Sequence, residues 1–113
     1  MHELSLAQSV WNQVSEEMRR HEGRRLLAVE VAVGALSGVE PESFKFAMGL
    51  VLEDSPWPDA RVDVSTEPVV LACRKCGKEF PVDGLDFVCP TCGSRDCDAV
   101  RGTNLRLCSV EIE

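Results

Sequence analysis

The sequence predicts an α+β fold: two helices packed on a three-stranded sheet, with a small zinc-binding ribbon of four cysteines inserted into that domain. Three observations carry this reading. An apolar stripe of helical period opens the chain, a β-branched run of period two follows it, and two CxxC pairs lie between the later strands.

Leu4, Ala7, Trp11, Val14 and Met18 recur in steps of three or four, which draws one stripe on a helix. Arg19 and Arg20 stand at its end, where cations suit the helix dipole, and Gly23 is a stop. Leu27, Val29, Val31 and Val33 then alternate with Leu26, Ala28, Glu30 and Ala32, the period of a strand. Only Glu30 interrupts the small or apolar character of the second face, so this strand is expected to be central and covered on much of both sides. Gly34 and Gly38 bracket a turn, and Pro41 opens a second helix carrying Phe44, Ala47, Met48 and Val51, which ends before Pro56. A second strand is expected from about Ala60 to Leu71, with Pro68 marking an edge or a bulge, and a third from Leu105 to Ile112. The cysteine block falls between these two strands. Residues 1–70, completed by 103–113 as the last strand, then form one α/β domain, and residues 71–102 form a zinc-binding domain.

The 113 residues carry 19 acidic and 12 basic side chains, a net charge of −7. Four thiolates on one zinc ion add about −2 more. Nucleic-acid binding relies on a basic face to neutralise phosphates, and this balance argues against it. The opening Met1-His2-Glu3-Leu4 lacks the basic and apolar regions of a signal peptide, and no run approaches the roughly 18 apolar residues of a membrane helix. A cytoplasmic location is therefore expected. In a reducing compartment, six cysteines read as metal ligands or buried thiols and not as a disulfide framework.

Cys73-Arg74-Lys75-Cys76 and Cys89-Pro90-Thr91-Cys92 are separated by twelve residues. Each CxxC turn brings two sulfurs to one side of a tight loop, and Gly77 and Gly93 follow where a positive φ is often needed. Two such turns close a tetrahedron of thiolates around one structural zinc, with no position left for a reactive water. An iron–sulfur cluster, a redox dithiol and two disulfides are the alternatives, and the spacing favours zinc over each. Cys97 could compete as a ligand, but the turn geometry favours Cys92; Cys97 and Cys108 both read as small buried hydrophobes.

His2 draws interest only from its position. A terminal amine, the amide nitrogen of residue two and its imidazole can wrap one metal in fused chelate rings, a nitrogen set suited to Ni(II) or Cu(II). The amine is that of Met1, and Glu3 adds a further backbone nitrogen and a carboxylate. Any chain that begins X-His shares this chemistry. His21 lies about 25 Å further along the helix and reads as a solvated residue near the helix end.

Taken together, the Met1-His2-Glu3 start, the strand ending in Val33-Gly34, the turn at Glu40, the C-x2-C-x12-C-x2-C insert and the closing Gly102-x-x-Leu105 strand resemble the HypA/HybF family. Its members are nickel metallochaperones for maturation of [NiFe]-hydrogenase, and the resemblance spans essentially the whole chain. It implies that His2 is the key nickel ligand, assisted by backbone groups of Met1 and Glu3. It also implies that an acidic side chain after the first strand completes the site; Glu40 stands there, where some members carry aspartate. Read from the residues alone, Glu40 is equally a helix-entry carboxylate beside Pro41. The family's zinc cysteines correspond to Cys73, Cys76, Cys89 and Cys92.

The resemblance further implies a carrier and not an enzyme. Its partners would be the hydrogenase large-subunit precursor and a nickel-handling GTPase, with urease as a second client in some organisms, and neither nucleic acid nor a membrane. An inserted ribbon allows strand or ribbon exchange between two protomers, so a homodimer is compatible with the chain. The competing reading is a zinc-ribbon module contacting protein or nucleic acid with no nickel function. An enzymatic reading finds no serine–histidine pairing, no phosphate loop and no open zinc position.

Overall fold

The computed structural model describes residues 3–82 and 87–113. Helix α1 (Glu3–Arg19) leads to β1 (Leu26–Gly34), α2 (Pro41–Glu53), β2 (Arg61–Glu67), β3 (Val70–Cys73), β4 (Glu79–Pro81), β5 (Cys97–Arg101) and β6 (Leu105–Ile112). The strands make two three-stranded sheets, ordered β2-β1-β6 and β4-β3-β5. The α+β class and the helices agree with the sequence reading. The expected strand from Ala60 to Leu71 is in fact two strands in two different sheets. Pro68 has no N–H to continue the ladder, so β2 ends beside Gly34 and the chain leaves to start the second sheet.

β1 is the central strand of the first sheet, parallel to β2 and antiparallel to β6. A parallel pair needs a crossover, and α2 supplies it. Both helices cover the same face. Ala7, Val10, Val14 and Met18 of α1 and Phe44, Ala47, Met48, Val51 and Leu52 of α2 meet Leu26, Val29 and Val31 of β1 in one buried core. The inner stripe of α1 thus includes Val10, while Leu4 in the first turn is 52% exposed. Trp11 packs at the margin of this core, its ring 6.2 Å from that of Trp57. Each helix joins β1 through about six residues and packs back along it, so both helix N-termini lie at the Gly34 end of the sheet.

Two irregularities keep the apolar faces in phase. In β6, Leu105 and Leu107 share one phase, whereas Val110 and Ile112 share the other. The ladder slips by one residue at Cys108, so that Leu107 faces Val31 and Val110 faces Val29, and all four apolar side chains reach the core. A similar slip beside Leu27 sends Leu26 into the core and leaves Leu27 half-buried, the reverse of simple alternation.

The outer face of the sheet is covered by side chains and not by a second layer. Arg61 bonds Asp63 on its own strand at 3.0 Å and reaches across β1 to Glu111 at 3.3 Å. Arg106 meets Glu67 at 2.7 Å. Between these bridges Ala28 and Ala32 are only 4% exposed, small enough to lie beneath the long side chains of both edge strands.

The two sheets join at a crossing of three backbone segments. Gly34 N–H donates to the Asn104 carbonyl, Ala35 N–H to that of Glu67 and Leu36 N–H to that of Gly102, all at 2.8–2.9 Å. A Cβ on Gly34 would lie 2.5 Å from the Gly102 carbonyl carbon. Gly102 has φ +84°, and a Cβ there would meet the Pro68 carbonyl oxygen at 2.6 Å. Because these neighbours are backbone atoms, Gly34→Ala should destabilise the protein by about 1–3 kcal/mol. Gly49, on α2 with open space at its Cβ position, is the control: Gly49→Ala should stabilise by about 0.5–1 kcal/mol. Urea denaturation followed by tryptophan fluorescence checks both signs.

Candidate metal centre

The second sheet has little apolar material. Val69, Leu71, Cys73, Phe80 and Cys89 form its buried cluster, with Val82, Phe87 and Cys97 packed around them. Two of its five buried members are cysteines, so the metal site and the core of this unit are the same place.

The two CxxC turns repeat one geometry. Cys73 N–H donates to the Lys78 carbonyl and Gly77 N–H returns to the Cys73 carbonyl; Cys89 N–H donates to Ser94 and Gly93 N–H returns to Cys89, all at 2.9 Å. Gly77 and Gly93 have φ +77° and +73°, a region a side chain would strain. In each turn the first cysteine is buried and the second exposed. The four sulfurs all lie within 4.8 Å of one another, with Cys73 Sγ 3.5 Å from Cys92 Sγ and Cys76 Sγ 3.5 Å from Cys89 Sγ. A tetrahedral zinc–thiolate centre has sulfur–sulfur edges of about 3.8 Å, so the cluster is close to the size such an ion requires.

The electrostatics divide along the same line. The Cys76 N–H, aided by that of Lys75, draws the Cys73 thiol down to about 6. The Cys92 N–H does the same for Cys89, which is lowered. At Cys92 the Ser94 N–H pulls downward, but the neighbouring Cys73 sulfur and burial outweigh it, and the thiol is pushed up to about 12. Cys76 is raised likewise: against the Lys78 N–H stand Cys89 and burial. Two thiolates are therefore stabilised by their own turns, and the other two resist ionisation beside them. A bound dication removes that conflict.

Arg74, inside the first turn, was not among the predicted site residues. Its guanidinium grips both oxygens of Asp98 at 2.8 and 2.5 Å and lies 3.6 Å from Asp96, which ties the turn to β5. The same contact holds the Asp98 carboxyl below its usual range. An arginine one residue past the first cysteine was the only signal in the sequence. Cys97 opens β5 opposite Cys73; it is half-buried, and burial, then the Cys73 sulfur, raises its thiol. Cys108, at the β6 slip, is also half-buried and not a core residue.

Among the described residues the cysteine tetrad is the only group of at least three histidine, cysteine or acidic side chains placed to hold a metal. Met1 and His2 lie outside the described residues. Glu3 is the first residue of α1. Glu40 is the N-cap of α2, its Oε2 accepting from Ser43 N–H at 2.9 Å. His21 lies past the end of α1, with Nε2 3.4 Å from Glu17. A groove of about 530 Å³ between the end of α1 and Trp57 contains none of the predicted metal-binding residues. No helix of the described residues is long and apolar enough to cross a membrane.

Residues 1–112 match the sequence profile of a family described as hydrogenase/urease nickel incorporation, metallochaperone, HypA. The hydrogenase maturation factor HypA of Geobacter metallireducens is 39% identical over 113 residues, and that of Dechloromonas aromatica 36%; each alignment covers the whole of both chains. Among solved structures, the solution structure of the nickel metallochaperone HypA from Helicobacter pylori superposes with a TM-score of 0.76 at 30% identity, covering 99% of this chain and 97% of the other. A second solution structure of a HypA protein gives 0.79, also at 30% identity, covering 100% and 97%.

Because metal binding and the folding of so small a core are coupled, chelation should disorder the second sheet and leave the first intact. Backbone amide signals of Leu71 and Phe80 should collapse on metal removal, while those of Val29 and Val31 keep their positions.

Proposed function

The chain belongs to the HypA family of hydrogenase/urease nickel-incorporation metallochaperones, and from that premise we propose that it loads Ni(II) at its amino terminus while Cys73, Cys76, Cys89 and Cys92 hold a structural zinc. The donor sets support this division. Four mutually close sulfurs on two rigid turns saturate a tetrahedral ion and leave no open position, as a structural zinc requires. A terminal amine, a deprotonated amide and an imidazole at Met1 and His2 suit a square-planar Ni(II).

A cargo site must release as well as bind, and the end of a helix favours release. The partial positive charge at the start of α1 opposes a bound cation, and Glu3 in the first turn offsets it. The carboxylate of Glu40 also lies at the Gly34 end, at the start of α2. One of its oxygens is taken by the cap; the other can supply a labile ligand without breaking it. Nickel would pass by ligand exchange to the hydrogenase large-subunit precursor, in concert with a nickel-handling GTPase, in the cytoplasm. No covalent bond of a substrate is made or broken. Exchange of the inserted ribbon between two protomers would be the route to a homodimer.

Protein with a native amino terminus should bind Ni(II) with micromolar or tighter affinity in calorimetry, about −8 kcal/mol or more favourable. His2→Ala, or a tag fused ahead of Met1, should abolish that binding; unchanged affinity would refute the site. Glu40→Ala should cost about 0.5–2 kcal/mol of stability through the lost cap. Nickel affinity separates its two roles: a ligand weakens binding when removed, whereas a cap alone leaves binding unaltered in the folded protein.

A further inference from the structure

Cys73 and Cys97 face each other directly in the antiparallel β3–β5 ladder. The hydrogen bonds around them settle which kind of pair they form. Arg74 N–H donates to the Asp96 carbonyl at 2.9 Å, linking the residue after Cys73 to the residue before Cys97, while Cys73 N–H goes to Lys78 and Cys97 N–H to Arg95. The two cysteines therefore exchange no backbone bonds. They occupy a non-hydrogen-bonded position, where facing Cα atoms approach to about 4.5 Å and side chains leave the same face of the sheet. That separation lies within the roughly 4.4–6.8 Å window a disulfide spans. Both sulfurs belong to the one apolar cluster of the ribbon. Cys73 is only 3% exposed, whereas Cys97 is half-buried. Across this pair the Arg74 clamp on Asp96 and Asp98 holds the strands together.

We propose that Cys97 is the redox partner of the metal centre: under hydrogen peroxide it forms a cross-strand disulfide with Cys73 and so removes one of the four metal ligands. Cys97 lies outside the tetrad and is more exposed than Cys73, so oxidant meets it without first displacing a ligand. Its sulfur, having given its proton to water, attacks one peroxide oxygen. A sulfur–oxygen bond forms, the oxygen–oxygen bond breaks, and the departing hydroxide takes up a proton to become water. The Cys73 thiolate, which would give up its bond to the metal, then attacks the Cys97 sulfenic sulfur. The disulfide forms, the sulfur–oxygen bond breaks, and the second hydroxide is protonated by solvent. Two electrons pass from the two sulfurs to the peroxide, which ends as two waters. Three thiolates remain, one bond short of a saturated tetrahedral site, so the metal is held more weakly and is open to capture by a chelator. This bridge joins residues already paired in the β3–β5 ladder, so it forms without a change of strand partner and reduction restores the site.

The inference rests on the reading of the tetrad as a zinc centre, and the metal content of untreated protein tests that reading by itself. The full-length zinc-loaded chain is treated with hydrogen peroxide, released zinc is followed with a chromogenic chelator, and free thiols are alkylated before peptide mapping without reduction. The expected result is zinc release accompanied by a bridged peptide pair joining Cys73 to Cys97, reversed by dithiothreitol and re-addition of zinc. Cys97→Ser should keep its zinc over the interval in which the wild type loses it, whereas Cys108→Ser should behave as wild type. A disulfide confined to Cys73, Cys76, Cys89 and Cys92 overturns the proposal, as does zinc loss from Cys97→Ser as fast as from the wild type. Should Cys97→Ser fail to fold, the wild-type peptide map alone decides.

Discussion

Everything at the Gly34 end of the molecule depends on three backbone segments packed closer than any side chain would allow. Gly34 closes β1, residues 67–70 carry the chain out to the ribbon, and Gly102 brings it back. The contact is held by backbone hydrogen bonds from Gly34, Ala35 and Leu36. Bonds of this kind are individually modest, but a close-packed backbone crossing has no rotamers to relax and cannot absorb an added Cβ. It locks the turn after β1, and with it the entry to α2 and Glu40, to the stem of the ribbon. The helix that begins with Glu3 packs over the same end of the same sheet. Whatever moves the ribbon therefore acts on the turn that leads to Glu40 through backbone rather than through flexible side chains.

Beyond that crossing, the ribbon is an economical unit. A sheet of three short strands cannot bury enough apolar surface to hold itself together. Here sulfur replaces hydrocarbon: Cys73 and Cys89 are core residues and also belong to the sulfur cluster placed to hold a metal, and the glycine turns that present them repeat one backbone pattern. Strong local coupling to one ion brings stability and also vulnerability, since any chemistry that takes a thiolate also takes the core. The α/β domain has the opposite design. Its core is wholly apolar, it contains no buried charged side chain among the described residues, and the ion pairs of its outer face are exposed and weak individually. Loss of metal can thus be confined to the second sheet.

Much of this was legible in the linear pattern because it rests on short-range rules. The helical stripe, the Pro41 helix start and the CxxC spacing each depend on residues within a turn or two of one another. Their alternatives were open where a residue's role depends on a distant partner. Glu40 reads equally as ligand or cap from the chain alone, and its bond from Ser43 N–H requires a turn of folded helix; the acidic balance that weighs against a nucleic-acid module says nothing about clients. Cys97, a candidate competing ligand, and Cys108 both read as small buried thiols; one faces Cys73 of the sulfur cluster across a ladder and the other marks a slip in β6.

The amino-acid sequence by itself determined the α+β class, the tetrad of cysteines and the family, since periodicity, turn chemistry and ligand spacing are properties of neighbouring residues. Tertiary structure alone decided the rest. It split the run from Ala60 to Leu71 between two sheets at Pro68, and it shifted the phase of β6 so that Leu105, Leu107, Val110 and Ile112 share one face. It also required two glycines 68 positions apart to touch and set Cys97 against Cys73. Register, bulges and backbone crossings are settled by contacts between segments far apart in the chain, and no local pattern encodes which segment will be there.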